Sequence, residues 1–309
     1  MTLTELRYIV AVARERHFGR AAAACFVSQP TLSVAIKKLE DELGVALFER
    51  GKNDIKVTPV GERIVAQAKR VLDEVEDVKR IAKQEQDQLD GPLRLGAIYT
   101  VAPYLLPQLI PVLHKQAPKM PLVIEENYTA RLQEQLIQGD LDVIIISLPF
   151  AEPGITVRAL YDEPFMAVLP ASHPWRERAA IGVKELTDEP VLMLGSGHCF
   201  REQVLSVCPD CRRRAAAEDH LGRALEGGSL ETIRHMVASG LGITVMPCTA
   251  TGADKYAQRL LVLKRFKSPV PKRRVALAWR NGFYRPDAVV ALAKAIRACK
   301  LSCVEFVGK

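Results

Sequence analysis

Apolar residues recur at helical spacing three times in the first 45 residues, and each repeat predicts a short helix. The third repeat begins after Ser28, a good N-cap residue, and is expected to end at Gly44. Residues 45–57 then contain two strand-like runs around a turn-prone Gly-Lys-Asn-Asp segment. The pattern therefore predicts a helix-turn-helix followed by a β-hairpin wing, over residues 1–58.

A long helix is predicted from residue 59 to about residue 89. Its apolar residues alternate at steps of three and four, which is the seam of a coiled coil. These residues are Ile64, Ala68, Val71, Val75, Val78, Ala82 and Leu89. We therefore expect residues 59–91 to be a linker that dimerises with a second copy of the chain. The alternative is a helix docked on the surface of its own domain.

Strand and helix patterns alternate from residue 92 to the end of the sequence. The predicted strands are 93–98, 122–126, 142–147, 165–169, 191–194, 243–246 and 275–279. The helical patterns between them include 104–116, 130–138, 230–239 and 287–299. This order predicts a parallel-dominated α/β domain with helices on both faces of its sheet. Ligands of such sheets bind at the carboxyl ends of the strands, where Thr100 and Thr129 lie.

Composition is that of a globular protein, with 48% hydrophobic and 26% charged residues. No run approaches the roughly 20 apolar residues of a membrane helix, and the first residues do not resemble a signal peptide. The expected compartment is therefore the cytoplasm. The net charge is +7, but residues 1–90 hold 15 basic and 15 acidic residues, whereas residues 200–309 hold 20 and 9. Charge alone therefore says little about DNA binding.

The start of the third helix would meet base edges if this helix-turn-helix binds DNA. A glutamine can pair with adenine through two hydrogen bonds, and lysine or arginine can hold phosphates. Lys38 is a further candidate for a phosphate contact. The alternative is that these residues only cap the helix and face solvent. The residues predicted to contact DNA are Ser28, Gln29, Pro30, Thr31, Ser33, Lys37 and Arg50.

Cys199 precedes a helical pattern over residues 200–207 and lies next to His198 and two residues before Arg201. The helix dipole and a nearby cation both favour a thiolate, which attacks peroxides and gives a sulfenic acid that condenses with a second thiol. Cys208 lies nine residues further on, about 13.5 Å along a helix. A disulfide needs Cα atoms within about 7 Å, so this pair requires the helix to unwind. Such a segment is a candidate redox switch.

The other cysteines are less informative. Seven cysteines in a protein expected in the cytoplasm argue against a structural disulfide framework. Cys211, before the basic run 212–214, could compete for the sulfenic acid, exchange with the disulfide, or do nothing. The basic run is expected to be a solvated face. We predict that the rest are buried small residues, with Cys299 and Cys303 on one helix face; they are Cys25, Cys248, Cys299 and Cys303.

Two other kinds of chemistry are open at this stage. His198, Cys199, Cys208 and Cys211 are zinc-type ligands, although adjacent histidine and cysteine suit a tetrahedral site poorly. A cysteine peroxidase or hydrolase with a DNA-binding appendage is the second alternative. The sequence lacks the Gly-x-Ser-x-Gly elbow, zinc-hydrolase motifs and glycine-rich phosphate loops.

Several runs resemble the LysR-type transcriptional regulators: 21–33 (AAAACFVSQPTLS), 36–44 (IKKLEDELG), 47–50 (LFER) and 58–61 (TPVG). The resemblance implies an α/β fold with an N-terminal winged helix-turn-helix, a long dimerisation helix and a periplasmic-binding-protein-like effector domain over 92–309. Its two α/β subdomains would be about 92–161 with 269–309, and about 162–268. It also implies binding of double-stranded promoter DNA, assembly into a homodimer or homotetramer, and contact with RNA polymerase.

The run 197–208 (GHCFREQVLSVC) resembles the redox loop of a hydrogen-peroxide-sensing branch of that family, as do 93–96 (LRLG), 100–107 (TVAPYLLP), 229–234 (SLETIR) and 242–244 (GIT). The resemblance implies activation of peroxide-defence genes, no enzyme activity, no cofactor and no metal. It implies that Cys199 is the peroxidatic cysteine and Cys208 the resolving one. The peroxide pocket would comprise Thr100, Thr129, His198 and Arg201. A regulator that responds to a small organic effector between the subdomains is the alternative.

Overall fold

The computed structural model describes residues 1–50, 55–83, 88–211, 226–252 and 259–308. These residues form two compact units, Met1–Asp87 and Gln88–Lys309, and each is described by itself. Within the described ranges, no helix has the length and apolar character needed to cross a membrane.

The first unit is a winged helix-turn-helix, as the sequence predicts. Its elements are α1 (Leu3–Glu15), α2 (Phe18–Ala24), α3 (Gln29–Leu43), β1 (Phe48–Arg50), β2 (Ile55–Val57) and α4 (Pro59–Lys83). Ser28 caps α3 through a hydrogen bond from the Thr31 N–H, and Gly44 ends it with a φ of 69°. Strands β1 and β2 pair antiparallel as the wing. The predicted turn at 51–54 lies outside the described residues.

Helix α4 packs part of its apolar seam on its own unit. Val65 and Ala68 are buried in the core formed with α1, α2 and α3. Val78, further along the seam, is 66% exposed. Helix α4 is described as far as Lys83, and Leu89, the last residue of the predicted seam, lies in a turn and packs against the core of the second unit. The alternative of a docked helix therefore holds for the first turns of α4, and dimerisation through the remainder stays a prediction.

The second unit alternates helices and strands. Its elements are β3 (Leu93–Ile98), α5 (Ala102–Gln116), β4 (Leu122–Asn127), α6 (Thr129–Gln138), β5 (Val143–Ser147), β6 (Ile155–Pro170), β7 (Ala180–Ile181), β8 (Val191–Leu194), α7 (Cys199–Val207), β9 (Glu226–Gly227), α8 (Leu230–Ala238), β10 (Ile243–Pro247), β11 (Leu261–Phe266), β12 (Lys272–Arg280), α9 (Pro286–Ala298) and β13 (Glu305–Phe306). Single 3₁₀ turns occur at Pro174–Glu177, Val183–Asp188 and Cys248–Gly252.

Two apolar cores lie within this unit. Core I is formed by β3, β5, β12, α5, α6 and α9, and core II by the second half of β6 with β8, β10, α7 and α8. Strand β6 contributes to both, since Leu160 and Tyr161 lie in core I and Phe165 in core II. This arrangement is the two-subdomain α/β architecture that the family resemblance implies.

The sheet is mixed, and the expectation of a parallel-dominated sheet was wrong. Its strand order is β4-β3-β5-β12-β6-β10-β8-β9, with β11 and β13 also on β6. Strands β4, β3 and β5 are mutually parallel, as are β10, β8 and β9. Strand β6 instead pairs antiparallel with β12 over its first part and with β10 and β11 over its second. The long crossing strand therefore makes the junction between the subdomains antiparallel.

Candidate functional site

Three aromatic rings meet beyond the carboxyl ends of β3, β4 and β8. The ring centroids of Tyr128 and His198 are 4.8 Å apart, and those of Tyr99 and Tyr128 are 5.3 Å apart. Tyr99 and His198 complete the cluster at 5.9 Å. Each ring is followed in the chain by a predicted site residue, so the cluster brings these segments together. The residues that follow the three rings are Thr100, Thr129 and Cys199.

His198 is buried in this cluster, with 6% of its surface exposed. Burial lowers the pKa of its imidazole, although a hydrogen bond to the Gly228 backbone opposes the shift. The imidazole is therefore neutral at physiological pH and able to accept a proton. Gly197 precedes it with a φ of 95°, and a Cβ there would lie 3.2 Å from the Tyr128 ring. The loop geometry thus requires glycine at 197.

Cys199 is the first residue of α7 and carries a free, half-buried thiol. It packs against core I, whereas the adjacent Phe200 is buried in core II. The first turn of α7 therefore touches both subdomains. At the start of α6, the Thr129 hydroxyl is buried and has no hydrogen-bond partner. An unpaired buried hydroxyl has its hydrogen-bonding capacity available for a small polar ligand.

Arg201 does not act as an isolated cation near Cys199. Its guanidinium donates to the Leu194 carbonyl at 2.7 Å and forms an ion pair with Glu226 at 2.7 Å. The predicted cation is thus partly compensated by a carboxylate. Arg201 consequently ties the first turn of α7 to β8 and β9.

A buried ion pair that the sequence did not reveal holds Thr100 in place. The Arg273 guanidinium donates to the Thr100 hydroxyl and carbonyl at 2.8 Å each and pairs with Glu163 at 2.7 Å. Both charged side chains are fully buried. Glu163 also accepts from the Thr249 N–H at 3.0 Å, and Arg273 lies over the Phe200 ring, 5.4 Å from its centroid. The network links β6 and β12 to the first turn of α7.

At the other end of α7, Cys208 is bonded to Cys211 with a Cα–Cα distance of 5.5 Å. A second disulfide joins Cys248 to Cys303, with Cα atoms 6.1 Å apart. The expectation that the chain has no structural disulfide framework, with Cys248 and Cys303 as free buried residues, was therefore wrong. So was the shared helical face of Cys299 and Cys303, because α9 ends at Ala298. Cys208 and Cys211 are both buried in core II.

The two other free cysteines lie outside the site. Burial raises the pKa of Cys299 to about 11, and burial also raises the pKa of the half-buried Cys25, against the charge of Arg14. Both thiols therefore stay protonated near neutral pH. The expectation that Cys25 would be buried was wrong, since its side chain is only partly covered. The basic run 212–214 lies outside the described residues.

The zinc alternative is contradicted by this arrangement. Cys208 and Cys211 form a disulfide and are separated from His198 and Cys199 by the length of α7. Throughout the described ranges, no group of three His, Cys, Asp or Glu residues is placed to hold a metal ion.

A cavity of about 740 Å³ lies beside the middle and end of α7. Gln203 and Ser206 line it from the helix, and Arg274 and Lys272 line it from β12. Both cations pair with Asp162, Arg274 at 2.6 Å and Lys272 at 2.7 Å. The cavity has the size of a small-molecule site.

Apart from Arg50, the predicted DNA-contacting residues lie in the first unit, at the start of α3 and along this helix. Ser28, Gln29, Pro30, Thr31 and Lys37 are exposed, as is Lys38, and Ser33 is half-buried. The Ser28 and Thr31 hydroxyls are 2.8 Å apart, so both also serve the helix cap. Arg50 ends β1, and its side chain lies outside the described part of the structure.

Comparison with known proteins covers both units. Residues 3–62 match the bacterial regulatory helix-turn-helix protein of the lysR family, and residues 86–299 match the LysR substrate binding domain. The DNA-binding transcriptional dual regulator OxyR of Escherichia coli K12 is 42% identical over 298 residues, 96% of this chain and 95% of OxyR. A hydrogen peroxide-inducible genes activator of Dickeya chrysanthemi is 41% identical over 297 residues, with 96% and 95% coverage.

A solved structure of a full-length OxyR variant from Pseudomonas aeruginosa superposes with a TM-score of 0.82 and 50% identity. The superposition covers 100% of this chain and 99% of that one. Both the sequence and the fold are thus shared over essentially the whole length. The chain therefore belongs to the LysR family of bacterial helix-turn-helix transcription regulators and is strongly similar to its OxyR members.

Proposed function

We propose that this chain is a hydrogen-peroxide-responsive transcription regulator in which Cys199 is oxidised and then forms a disulfide with Cys208. One observation carries the proposal: a free Cys199 thiol begins α7 beside the cluster of Tyr99, Tyr128 and His198. The names of its relatives, a transcriptional regulator and a peroxide-inducible gene activator, support this reading.

The first step is oxidation of the Cys199 thiolate by hydrogen peroxide. The sulfur attacks one peroxide oxygen, the O–O bond breaks, and the products are a sulfenic acid and hydroxide, which takes up a proton to become water. Cys199 is the first residue of α7, and its thiol is free and half-buried. The unpaired Thr129 hydroxyl is suited to bind a peroxide oxygen, and the neutral His198 to accept a proton. Thr100, held by Arg273, completes the proposed pocket, and Arg201 borders it.

The second step is formation of the Cys199–Cys208 disulfide, after reduction has freed Cys208 from Cys211. Helix α7 separates the two cysteines by about 13.5 Å, beyond the roughly 7 Å that a disulfide spans. Unwinding α7 would expose Phe200, Val204 and Leu205, all buried in core II. It would also break the hydrogen bond from Gln203 to Ser147. Oxidation thus has a large conformational consequence, as a switch requires.

The output of this switch is a changed contact with double-stranded DNA. The exposed start of α3 provides the base-reading residues, with Gln29 and Thr31 foremost. Assembly into a homodimer or homotetramer would use the exposed part of the α4 seam, including Val78. Such a regulator acts in the cytoplasm with RNA polymerase as its partner, and peroxide is its signal rather than the substrate of sustained turnover.

A small-molecule effector remains a second candidate because of the cavity beside α7. Its volume of about 740 Å³ suits a small organic ligand, and Gln203 and Arg274 lie in its wall. Such a ligand would act on the same helix, so the two signals are compatible. The variant Cys199→Ser separates them, since it would abolish the response to peroxide and leave a ligand response intact.

The proposal is tested by DNA footprinting of the reduced full-length protein with increasing peroxide. We expect the wild-type footprint to change at about one equivalent of peroxide per subunit and the Cys199→Ser footprint to stay constant. Cys25→Ser, which removes another half-buried free thiol, is the matched control and should respond as the wild type does. A Cys199→Ser protein that still responds would overturn the proposal.

A further inference from the structure

We propose that Cys208 and Cys211 form a second redox-active site, a dithiol that takes over the disulfide made with Cys199 and returns Cys199 to its thiol. This inference rests on the function proposed above and adds Cys211 to its chemistry. The structure combines three features: a bond between Cys208 and Cys211, a free Cys199 thiol and an intact α7.

The Cys208–Cys211 bond fits the folded state of α7. Cys208 ends the helix, and its N–H donates to the Val204 carbonyl at 2.9 Å. The Cys211 N–H donates in turn to the Cys208 carbonyl at 3.2 Å, so the two cysteines are one helical turn apart. Their side chains are 3% and 5% exposed and belong to core II. The folded switch segment thus accommodates this disulfide, whereas it excludes one between Cys199 and Cys208.

The chemistry of the transfer is a thiol–disulfide exchange. After peroxide has oxidised Cys199, the Cys208 thiolate attacks the Cys199 sulfur of the sulfenic acid, and hydroxide leaves as water. The Cys211 thiolate then attacks the Cys208 sulfur, the Cys199–Cys208 bond breaks, and the Cys199 thiolate leaves. The sum is one peroxide and two thiols, those of Cys208 and Cys211, giving one disulfide and two waters. The exchange itself needs no further oxidant.

Two physical reasons favour the direction toward Cys208–Cys211. The first is that release of Cys199 lets α7 refold and buries Phe200, Val204 and Leu205 again. The second is loop closure, because linking residues three apart restricts the chain less than linking residues nine apart. The exchange therefore favours the state that the structure shows, with Cys208 bonded to Cys211 and α7 folded.

The consequence is a sensor whose active form has a limited lifetime. Cys199 regains its thiol but has lost its resolving partner, because Cys208 is held by Cys211. A second peroxide pulse would leave the sulfenic acid of Cys199 unresolved. A dithiol reductant that opens the Cys208–Cys211 bond would restore the response.

The test is a time course on the full-length protein, reduced with dithiothreitol, desalted and given one equivalent of hydrogen peroxide. Samples are quenched with an alkylating reagent, and their disulfides are mapped by mass spectrometry. In the wild type we expect Cys199–Cys208 to appear first and to decay as Cys208–Cys211 and the free Cys199 thiol rise together. In Cys211→Ser, Cys199–Cys208 should persist at least tenfold longer. Cys303→Ser, which removes the other disulfide, is the matched control and should decay as the wild type does.

Two results would overturn the relay. One is a Cys199–Cys208 bond that lasts as long in the wild type as in Cys211→Ser, which leaves the proposed function standing. The other is formation of Cys208–Cys211 in Cys199→Ser as fast as in the wild type, because the oxidation would then bypass Cys199. Absence of Cys199–Cys208 from every variant would instead reject the proposed function together with the relay. Since Cys211 is buried, Cys211→Ala provides a second variant, and the wild-type time course tests the relay without any substitution.

Discussion

The buried ion pair between Arg273 and Glu163 gives the sharpest prediction about the architecture of the site. Both side chains are 0% exposed, and the pair is 2.7 Å long. In Glu163→Gln the shape is retained but the Arg273 charge loses its compensation. Removing one partner of a buried pair costs about 3–5 kcal/mol. For a unit of this size, 3 kcal/mol corresponds to a decrease in Tm of roughly 6–12 °C.

Tryptophan fluorescence measures this effect in the relevant unit. The chain has two tryptophans, Trp175 and Trp279, and both lie in the second unit. Urea and thermal unfolding of the reduced full-length protein would therefore report on that unit alone. The matched control is Glu177→Gln, which removes a carboxylate paired with Arg176 at 2.8 Å on the surface. We expect the unfolding midpoint of the control to equal that of the wild type.

The Glu163→Gln substitution should also affect the position of Thr100, because Arg273 donates to the Thr100 hydroxyl and carbonyl. We expect Glu163→Gln to slow the reaction of Cys199 with peroxide as well as to lower stability, since Arg273 also lies over Phe200. A loss of stability below about 1 kcal/mol in Glu163→Gln would contradict this prediction, because a pair buried this completely cannot lose one charge at so small a cost.

Three further outcomes are expected. Burial lowers the pKa of His198 below 6.5, so below that pH the unfolded chain binds a proton that the folded chain does not. The free energy of unfolding should therefore fall as the pH drops from 7 to 5. The urea midpoint of His198→Gln should depend less on pH than that of the wild type. In DNA-binding assays, Lys37→Ala should weaken binding to all sequences and reduce by about 1 the slope of log affinity against log salt concentration. Gln29→Ala should instead cost about 1–3 kcal/mol of discrimination at one base pair. Equal effects of both variants on specificity would contradict the assignment of Lys37 to a phosphate and Gln29 to a base. Gly61→Ala should destabilise the first unit by about 1–3 kcal/mol in thermal unfolding, because the new Cβ would clash with the Leu47 carbonyl. This loss is expected although alanine favours the helical backbone at this position. A variant more stable than the wild type would contradict the close contact between Gly61 and Leu47.

Local signals predicted the first unit and the switch helix well. Ser28 and Gly44 fix the ends of α3 through an N-cap side chain and a left-handed C-cap, and both are visible in a single sequence. The helical pattern after Cys199 likewise predicted α7 almost to the residue. These elements depend on interactions between residues three or four apart, which periodicity records.

Long-range pairings were not predictable from the same information. The middle of β6 contains Asp162, Glu163 and Pro164, which interrupt the apolar strand pattern, although β12 pairs with all three. The partners Glu163 and Arg273 are 110 residues apart, and each alone has the composition of a surface residue. The bond between Cys248 and Cys303 spans 55 residues and leaves no trace in the local sequence.

The aromatic cluster shows the same limit within the site itself. Thr100 and Thr129 could be singled out because they follow strands, but the edge-to-face packing of Tyr99, Tyr128 and His198 depends on three separate loops. Ring contacts between separate loops cannot be predicted, because they do not follow from any regular spacing of residues along the chain.

The proposed peroxide switch is tested most directly by disulfide mapping of Cys211→Ser before and after a stoichiometric pulse of peroxide, with its DNA footprint recorded in parallel. This variant keeps Cys199 and Cys208 and removes the thiol that would compete for either. We expect a new Cys199–Cys208 linkage in most subunits, together with an altered footprint. A Cys199 thiol that remains fully alkylatable after the pulse would contradict the proposed peroxide switch.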